Sequence, residues 1–157
     1  MSQLFLDLDG VLADFNGHYK RHFGAIVPRA HADPPGMWDN IRSRPNFYRE
    51  LPIIPDALEL WQGTAHLNPI VLTGVPFAEV PDAAPQKRAW LREHLGENVP
   101  LICCRSRDKR HHGKPGDVLV DDWDRYRQLW IDMGGVFVIH TSAKDSLAQL
   151  QRFGYCK

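Results

Sequence analysis

Two aspartates one residue apart close the first apolar run of the chain, Leu4-Phe5-Leu6-Asp7-Leu8-Asp9-Gly10. A strand alternates its side chains, so Asp7 and Asp9 would share one face if the strand stayed straight. The turn imposed at Gly10 instead lets each carboxylate take its own place around one point beyond the strand. Two anions that close repel unless a cation, a proton or both intervene. The pattern suits a divalent metal with a nucleophile and a proton carrier, and suits core packing poorly.

Three later apolar runs end in related chemistry. Val71-Leu72-Thr73-Gly74 ends in a hydroxyl and a glycine whose N–H can face an anion. The run to Cys104 leads into Arg105-Ser106-Arg107-Asp108-Lys109, and Val118-Leu119-Val120 ends in Asp121-Asp122. In an open parallel sheet, ligands bind beyond the carboxyl ends of the strands. Carboxylates, a hydroxyl and a lysine therefore gather at one edge, an oxygen-rich set that suits magnesium.

The elements that must position these residues follow from the apolar pattern. Gln3–Leu8, Ile70–Thr73, Val99–Cys104, Val118–Val120 and Val136–His140 read as strands without clean polar alternation, as in a parallel sheet buried on both faces. Helices are expected over Asp56–Leu67, Pro85–Leu95, Trp123–Met133 and Ser142–Phe153, the last three stopping at Gly96, Gly134 and Gly154. This alternation implies a three-layer α/β sandwich with right-handed crossovers. Residues from about 14 to 54 break the pattern. Phe15, Tyr19 and Phe23 begin a helix, Pro34-Pro35-Gly36 forces an irregular stretch, and the whole reads as a small helical cap over the aspartates.

Bulk properties exclude several classes. Lysine plus arginine equals aspartate plus glutamate at 19 each, so charge gives no support for a nucleic-acid polymer as partner. Three cysteines, two of them adjacent, make neither a disulfide framework nor a zinc spacing. They fit buried, reduced thiols in a cytoplasmic protein, and neither an export signal nor a membrane-spanning apolar run is evident.

Asp7-x-Asp9-Gly10-Val11, the strand-terminal Thr73-Gly74, Lys109 and Asp121-Asp122 resemble, in order, the four motifs of the haloacid-dehalogenase-like hydrolase superfamily. Within it, Asp9-Gly10-Val11-Leu12-Ala13-Asp14-Phe15, the Lys87-x-x-Trp90 helix and Arg107-Asp108-Lys109 resemble the 5'(3')-deoxyribonucleotidase branch and related small bacterial and phage phosphatases. The resemblance implies that Asp7 is the nucleophile that forms an aspartyl-phosphate, and that Asp9 is the acid and then the base. It implies that Thr73 and the Gly74 N–H hold phosphate oxygens and that Lys109 balances charge. Magnesium would bridge Asp7, the backbone carbonyl of Asp9 and the pair Asp121-Asp122, with Asp122 as direct ligand and Asp121 behind it.

The sequence departs from the branch in a longer loop after Lys109, in Thr-Gly-Val-Pro where those enzymes resemble Thr-Ser-Pro, and in a shorter cap. Other readings stay open. Lys114 competes with Lys109, Asp14 reads as a helix cap, and His111-His112 reads as a solvated loop. Arg105–Lys114 is either solvated or a basic rim. Phe15 and Trp38 are candidate substrate contacts, although Trp38, Phe47 and Tyr48 could equally be cap core. Lys87 reads as a surface lysine and Trp90, Trp123 and Trp130 as helix packing. The expectation is one domain over 1–157, a Rossmann-like α/β sandwich with a five-stranded parallel sheet of order 3-2-1-4-5 and a cap at 14–54. Its function would be that of a magnesium-dependent phosphomonoesterase for a small substrate, plausibly a (deoxy)nucleoside monophosphate. A sugar phosphate, or a binding module without turnover, is the alternative.

Overall fold

Strands buried on both faces need apolar side chains at nearly every position, and the five apolar runs meet that need. A computed structural model describes residues 2–24 and 33–155. The strands are β1 (Leu4–Leu6), β2 (Ile70–Gly74), β3 (Leu101–Cys104), β4 (Val118–Asp121) and β5 (Val136–Ile139). All pair in parallel, in the order β3-β2-β1-β4-β5. This is the expected α/β Rossmann-like sheet. The first strand is shorter than its apolar run because the N–H groups of Val11, Leu12 and Ala13 all donate to the Leu8 carbonyl and curl the chain.

Alternate residues serve opposite helical layers. Leu4 and Leu6 join Val71, Val118, Val120 and Val138 on one face, against Leu60, Trp90, Leu91 and Leu150. These last come from α3 (Ala57–Thr64), α4 (Ala83–His94) and α6 (Ala143–Arg152). Phe5, Leu72, Leu119 and Phe137 cover the other face with Trp130, whose ring meets Phe5 edge-on at 5.7 Å. Trp130 belongs to α5 (Arg127–Asp132), beside a 3-10 helix at Ser106–His112. The helix expected over Trp123–Met133 is thus only its second half. Asp121 Oδ1 accepts from the Trp123 N–H at 3.0 Å, and the Arg127 N–H closes a turn on the Asp124 carbonyl, so the chain turns before it can coil. At α6, Ser142 accepts from the Asp145 N–H at 3.1 Å, the cap expected from Ser-x-x-Asp.

The segment between β1 and α3 carries α1 (Phe15–Phe23) and α2 (Met37–Arg42). Asp14 caps α1 by accepting from the Gly17 N–H at 3.0 Å. The segment leaves and returns side by side, with the Asp14 N–H donating to the Pro52 carbonyl and the Ile54 N–H to the Leu12 carbonyl, each at 2.8 Å. Its apolar residues Phe15, Tyr19, Met37, Ile41, Phe47 and Tyr48 join the sheet's own core. Part of the cap expected at 14–54, residues 25–32, lies outside the described residues, as does Cys156. Among the described residues no helix is long and apolar enough to cross a membrane.

Candidate active site

Neighbouring ends of β1 and β4 bring the acidic groups together. The Asp7 N–H donates to the Val120 carbonyl at 2.9 Å, so Asp7 and Asp121 emerge beside one another. The 3-10 helix after β3 delivers Lys109, whose Nζ donates to Asp7 Oδ1 at 2.9 Å and Asp121 Oδ2 at 3.0 Å. All three side chains are buried. Burial opposes the Lys109 charge, but Asp121 and Asp7 outweigh it and hold the ammonium protonated. Burial, with the Asp7 charge second, pushes the Asp121 carboxyl well above its ordinary range, against the pull of Lys109 and the Trp123 N–H.

Crowded carboxylates of this kind favour a cation. Asp7, Asp121 and Asp122 each offer an oxygen within 4.8 Å of the others, a group of hard donors that fits magnesium. Gly10 makes the approach possible. Its φ is +84°, and a Cβ there would collide with the Asp122 carboxylate. Both Asp121 oxygens already accept hydrogen bonds, one from Lys109 and one from Trp123.

Asp9 turns its side chain the other way. Its Oδ2 accepts from Lys87 Nζ at 2.9 Å, and the same ammonium donates to Thr73 Oγ1 at 2.9 Å and the Gly74 carbonyl at 2.8 Å. Lys87, expected at the surface, is therefore corrected to a buried residue with 1% exposure. The side chain of Asp9 is not part of the acidic group; only its backbone carbonyl was expected there. Thr73 is fully buried and its hydroxyl faces Lys87, so it does not line the cavity, whereas Gly74 does.

That cavity, of about 380 Å³, opens over the strand ends. Asp7, Asp9, Lys109 and Asp121 line it, as do Phe15, Trp38 and Tyr48 from the inserted segment. Phe15 is nonetheless buried against Phe47 and Tyr48, while Trp38 is half-buried with its indole N–H donating to Asp33 Oδ2 at 3.2 Å. Of the basic stretch, Arg105, Arg107 and Lys109 reach the cavity. Lys114 is exposed away from it, as are His111 and His112. Cys103 and Cys104 are free thiols whose pKa burial raises, that of Cys104 to about 11, which favours the neutral thiol.

Sequence reasoning missed Lys87 in its buried role, and Trp123, Arg125 and Tyr126 as cavity wall. A signal for Lys87 exists. It lies four residues after Ala83, three before Trp90 and four before Leu91, on the apolar stripe of α4. A lysine on a buried stripe needs anionic or carbonyl partners. For Trp123 the signal was Asp121, whose side chain two residues earlier can hold an Asx turn and so keep Trp123 out of the helix.

The parallel sheet in this order, with acidic strand ends and a lysine beyond them, defines a haloacid-dehalogenase-like hydrolase, a class to which similar proteins also point. A protein of Bordetella bronchiseptica provisionally named a 5'(3')-deoxyribonucleotidase is 30% identical over 138 residues, spanning 76% of this chain and 73% of the relative. The human cytosolic-type 5'(3')-deoxyribonucleotidase is 26% identical over 147 residues, spanning 80% of this chain and 72% of that protein. Among solved structures, a HAD family hydrolase of Deinococcus radiodurans R1, determined with bound phosphate and sodium, superposes with a TM-score of 0.52 at 13% identity, covering 100% of this chain and 98% of that one. It bears on the fold alone. No model of a known protein family matches the chain. The chain belongs to the 5'(3')-deoxyribonucleotidase family of haloacid-dehalogenase-like hydrolases. Its enzymatic class is that of a phosphatase.

Proposed function

We propose that the protein is a magnesium-dependent phosphomonoesterase that works through an aspartyl-phosphate on Asp7, with a (deoxy)nucleoside monophosphate as substrate. The observation that carries the chemistry is the buried bridge from Lys109 to Asp7 Oδ1 and Asp121 Oδ2, at the floor of a cavity. The nucleotide rests on the names of the relatives and on a cavity large enough for a small ligand.

In this reading Asp7 attacks phosphorus, the bond from phosphorus to the leaving oxygen breaks, and the Asp9 carboxyl gives that oxygen its proton. The resulting Asp9 carboxylate then takes a proton from water, which attacks the aspartyl-phosphate, releases phosphate and restores Asp7. Asp7, Asp121, Asp122 and the Asp9 carbonyl would hold magnesium, which supplies the positive charge that lets an anionic nucleophile meet an anionic phosphate. Lys109 holds Asp7 in place and offsets its charge. Gly74 and the Arg105 and Arg107 side chains face the cavity where phosphate oxygens arrive, and Phe15 and Trp38 flank the rest of the substrate. The inserted segment acts as the cap of a single domain, and the substrate is a small molecule met in the cytoplasm, not a polymer.

A panel of phosphate esters assayed with purified protein tests the reading. Nucleoside monophosphates should be preferred, a chelator should stop turnover and added magnesium should restore it. Preference for sugar phosphates would overturn the substrate, and full activity in excess chelator would overturn the metal.

A further inference from the structure

We propose that Lys87 is a positioning residue for the proton transfer, fixing the Asp9 carboxyl in one orientation for the leaving group. This rests on the phosphatase mechanism above and adds to it a residue outside the four motifs. An ammonium has three donors, and all three are spent on Asp9 Oδ2, Thr73 Oγ1 and the Gly74 carbonyl. No donor remains for a substrate, so whatever Lys87 does for the reaction it does through these partners. With Oδ2 held by Lys87, the Asp9 carboxyl has one orientation, and Oδ1 is turned inward, buried without a hydrogen-bond partner. Held in this one orientation at the cavity wall, the Asp9 carboxyl gives up its proton as the bond between phosphorus and the leaving oxygen breaks.

A stability role alone accounts poorly for such a lysine. Burying an ion pair costs desolvation that its Coulomb attraction often fails to return, and an apolar residue would suit the stripe of Ala83, Trp90 and Leu91 as well. Its neighbours on α4 tie the same site to the inserted segment. Gln86 Oε1 accepts from the Tyr48 N–H at 2.8 Å, Trp90 Nε1 donates to the Leu51 carbonyl at 2.7 Å, and Lys87 Nζ lies 4.9 Å from the centre of the Tyr48 ring. One helix face thus sets both the proton carrier and the cavity wall beside it.

The test compares two leaving groups. A nucleoside 5'-monophosphate, or whichever alkyl phosphate the wild type turns over, departs as an alkoxide that needs a proton; the dinitrophenolate of dinitrophenyl phosphate needs none. For Lys87→Met, kcat/KM should fall about 100-fold on the alkyl ester and by less than about 3-fold on the aryl ester. Lys87→Gln, which keeps a donor, should show the same split at smaller size. In an Asp9→Asn background, Lys87→Met should add little further loss on the alkyl ester. Both esters are read on one sample, so a reduced folded fraction scales them together and leaves the ratio intact. Equal losses on both esters, no loss on either, or failure of both Lys87 variants to fold would overturn the proposal. A wild type that hydrolyses neither ester would instead overturn the phosphatase reading beneath it.

Discussion

Four carboxylates and two lysines sort themselves into two groups, each with its own ammonium. Lys109 joins Asp7 and Asp121, beside Asp122, while Lys87 joins Asp9 to Thr73 and Gly74. Asp7 and Asp9, the proposed nucleophile and proton carrier two residues apart in sequence, thereby have separate cationic partners. Gly10 is what lets the group of Asp7, Asp121 and Asp122 close. At φ +84° and against the Asp122 carboxylate, a methyl group has no room there. Gly10→Ala should therefore displace Asp122 and weaken magnesium about 10-fold or more, as losses around metal ligands do, read from the magnesium dependence of turnover. An unchanged dependence would show that Asp122 is not a ligand. At this scale the four motifs were legible, because strand ends in a parallel sheet meet at one edge whatever the intervening chain does. The partners of Asp9 were less so, since Lys87 is brought to it by the packing angle of a helix that begins far away in sequence.

Helix α4 is the element on which the site leans. Its buried face carries Gln86, Lys87 and Trp90, and Gln86 Oε1 accepts from both the Tyr48 and Arg49 N–H groups, at 2.8 Å and 3.3 Å. Gln86→Ala leaves a buried donor unmet, which costs about 1–3 kcal/mol, and frees the wall that Tyr48 forms. Denaturant unfolding should report the first effect, and a raised KM with kcat little changed the second. The position of α4 was readable from its apolar stripe and the glycine after it, with the first turn found two residues early. The half-helix at α5 was not read correctly, although the Asp121 side chain accepting from the N–H two residues on is an Asx turn, a local signal that outweighs the helical apolar pattern over 123–126. The neck of the inserted segment was visible only as a break in pattern. The hydrogen bonds from Asp14 to Pro52 and from Ile54 to Leu12 supply its physical form.

Among the described residues, one core runs from the sheet into the inserted segment. His18 lies in that shared core, with both ring nitrogens buried and lacking hydrogen-bond partners. Burial lowers its pKa from the ordinary 6.5, with His22 and the Arg21 and Arg44 charges adding to the effect and Glu50 opposing it. The folded state then resists a proton that the unfolded chain accepts, so stability falls as pH drops through the ordinary histidine value. His140, lowered by burial against Asp56, Asp145 and Asp7, adds to the same trend. His18→Phe should shrink the drop in Tm between about pH 7.5 and about pH 5.5, measured by thermal unfolding at both values. An equal drop in the variant would place the acid sensitivity elsewhere.

The proposed chemistry depends on Asp7 being the residue that takes the phosphoryl group. The most direct measurement is acid quench during turnover of a preferred substrate, followed by proteolysis and mass spectrometry of the peptide that contains residue 7. The account predicts one phosphoryl group on Asp7, released by hydroxylamine and absent in Asp7→Asn. Phosphate produced at full rate with no phosphorylated Asp7 at any quench time, or by the Asp7→Asn variant, would contradict it.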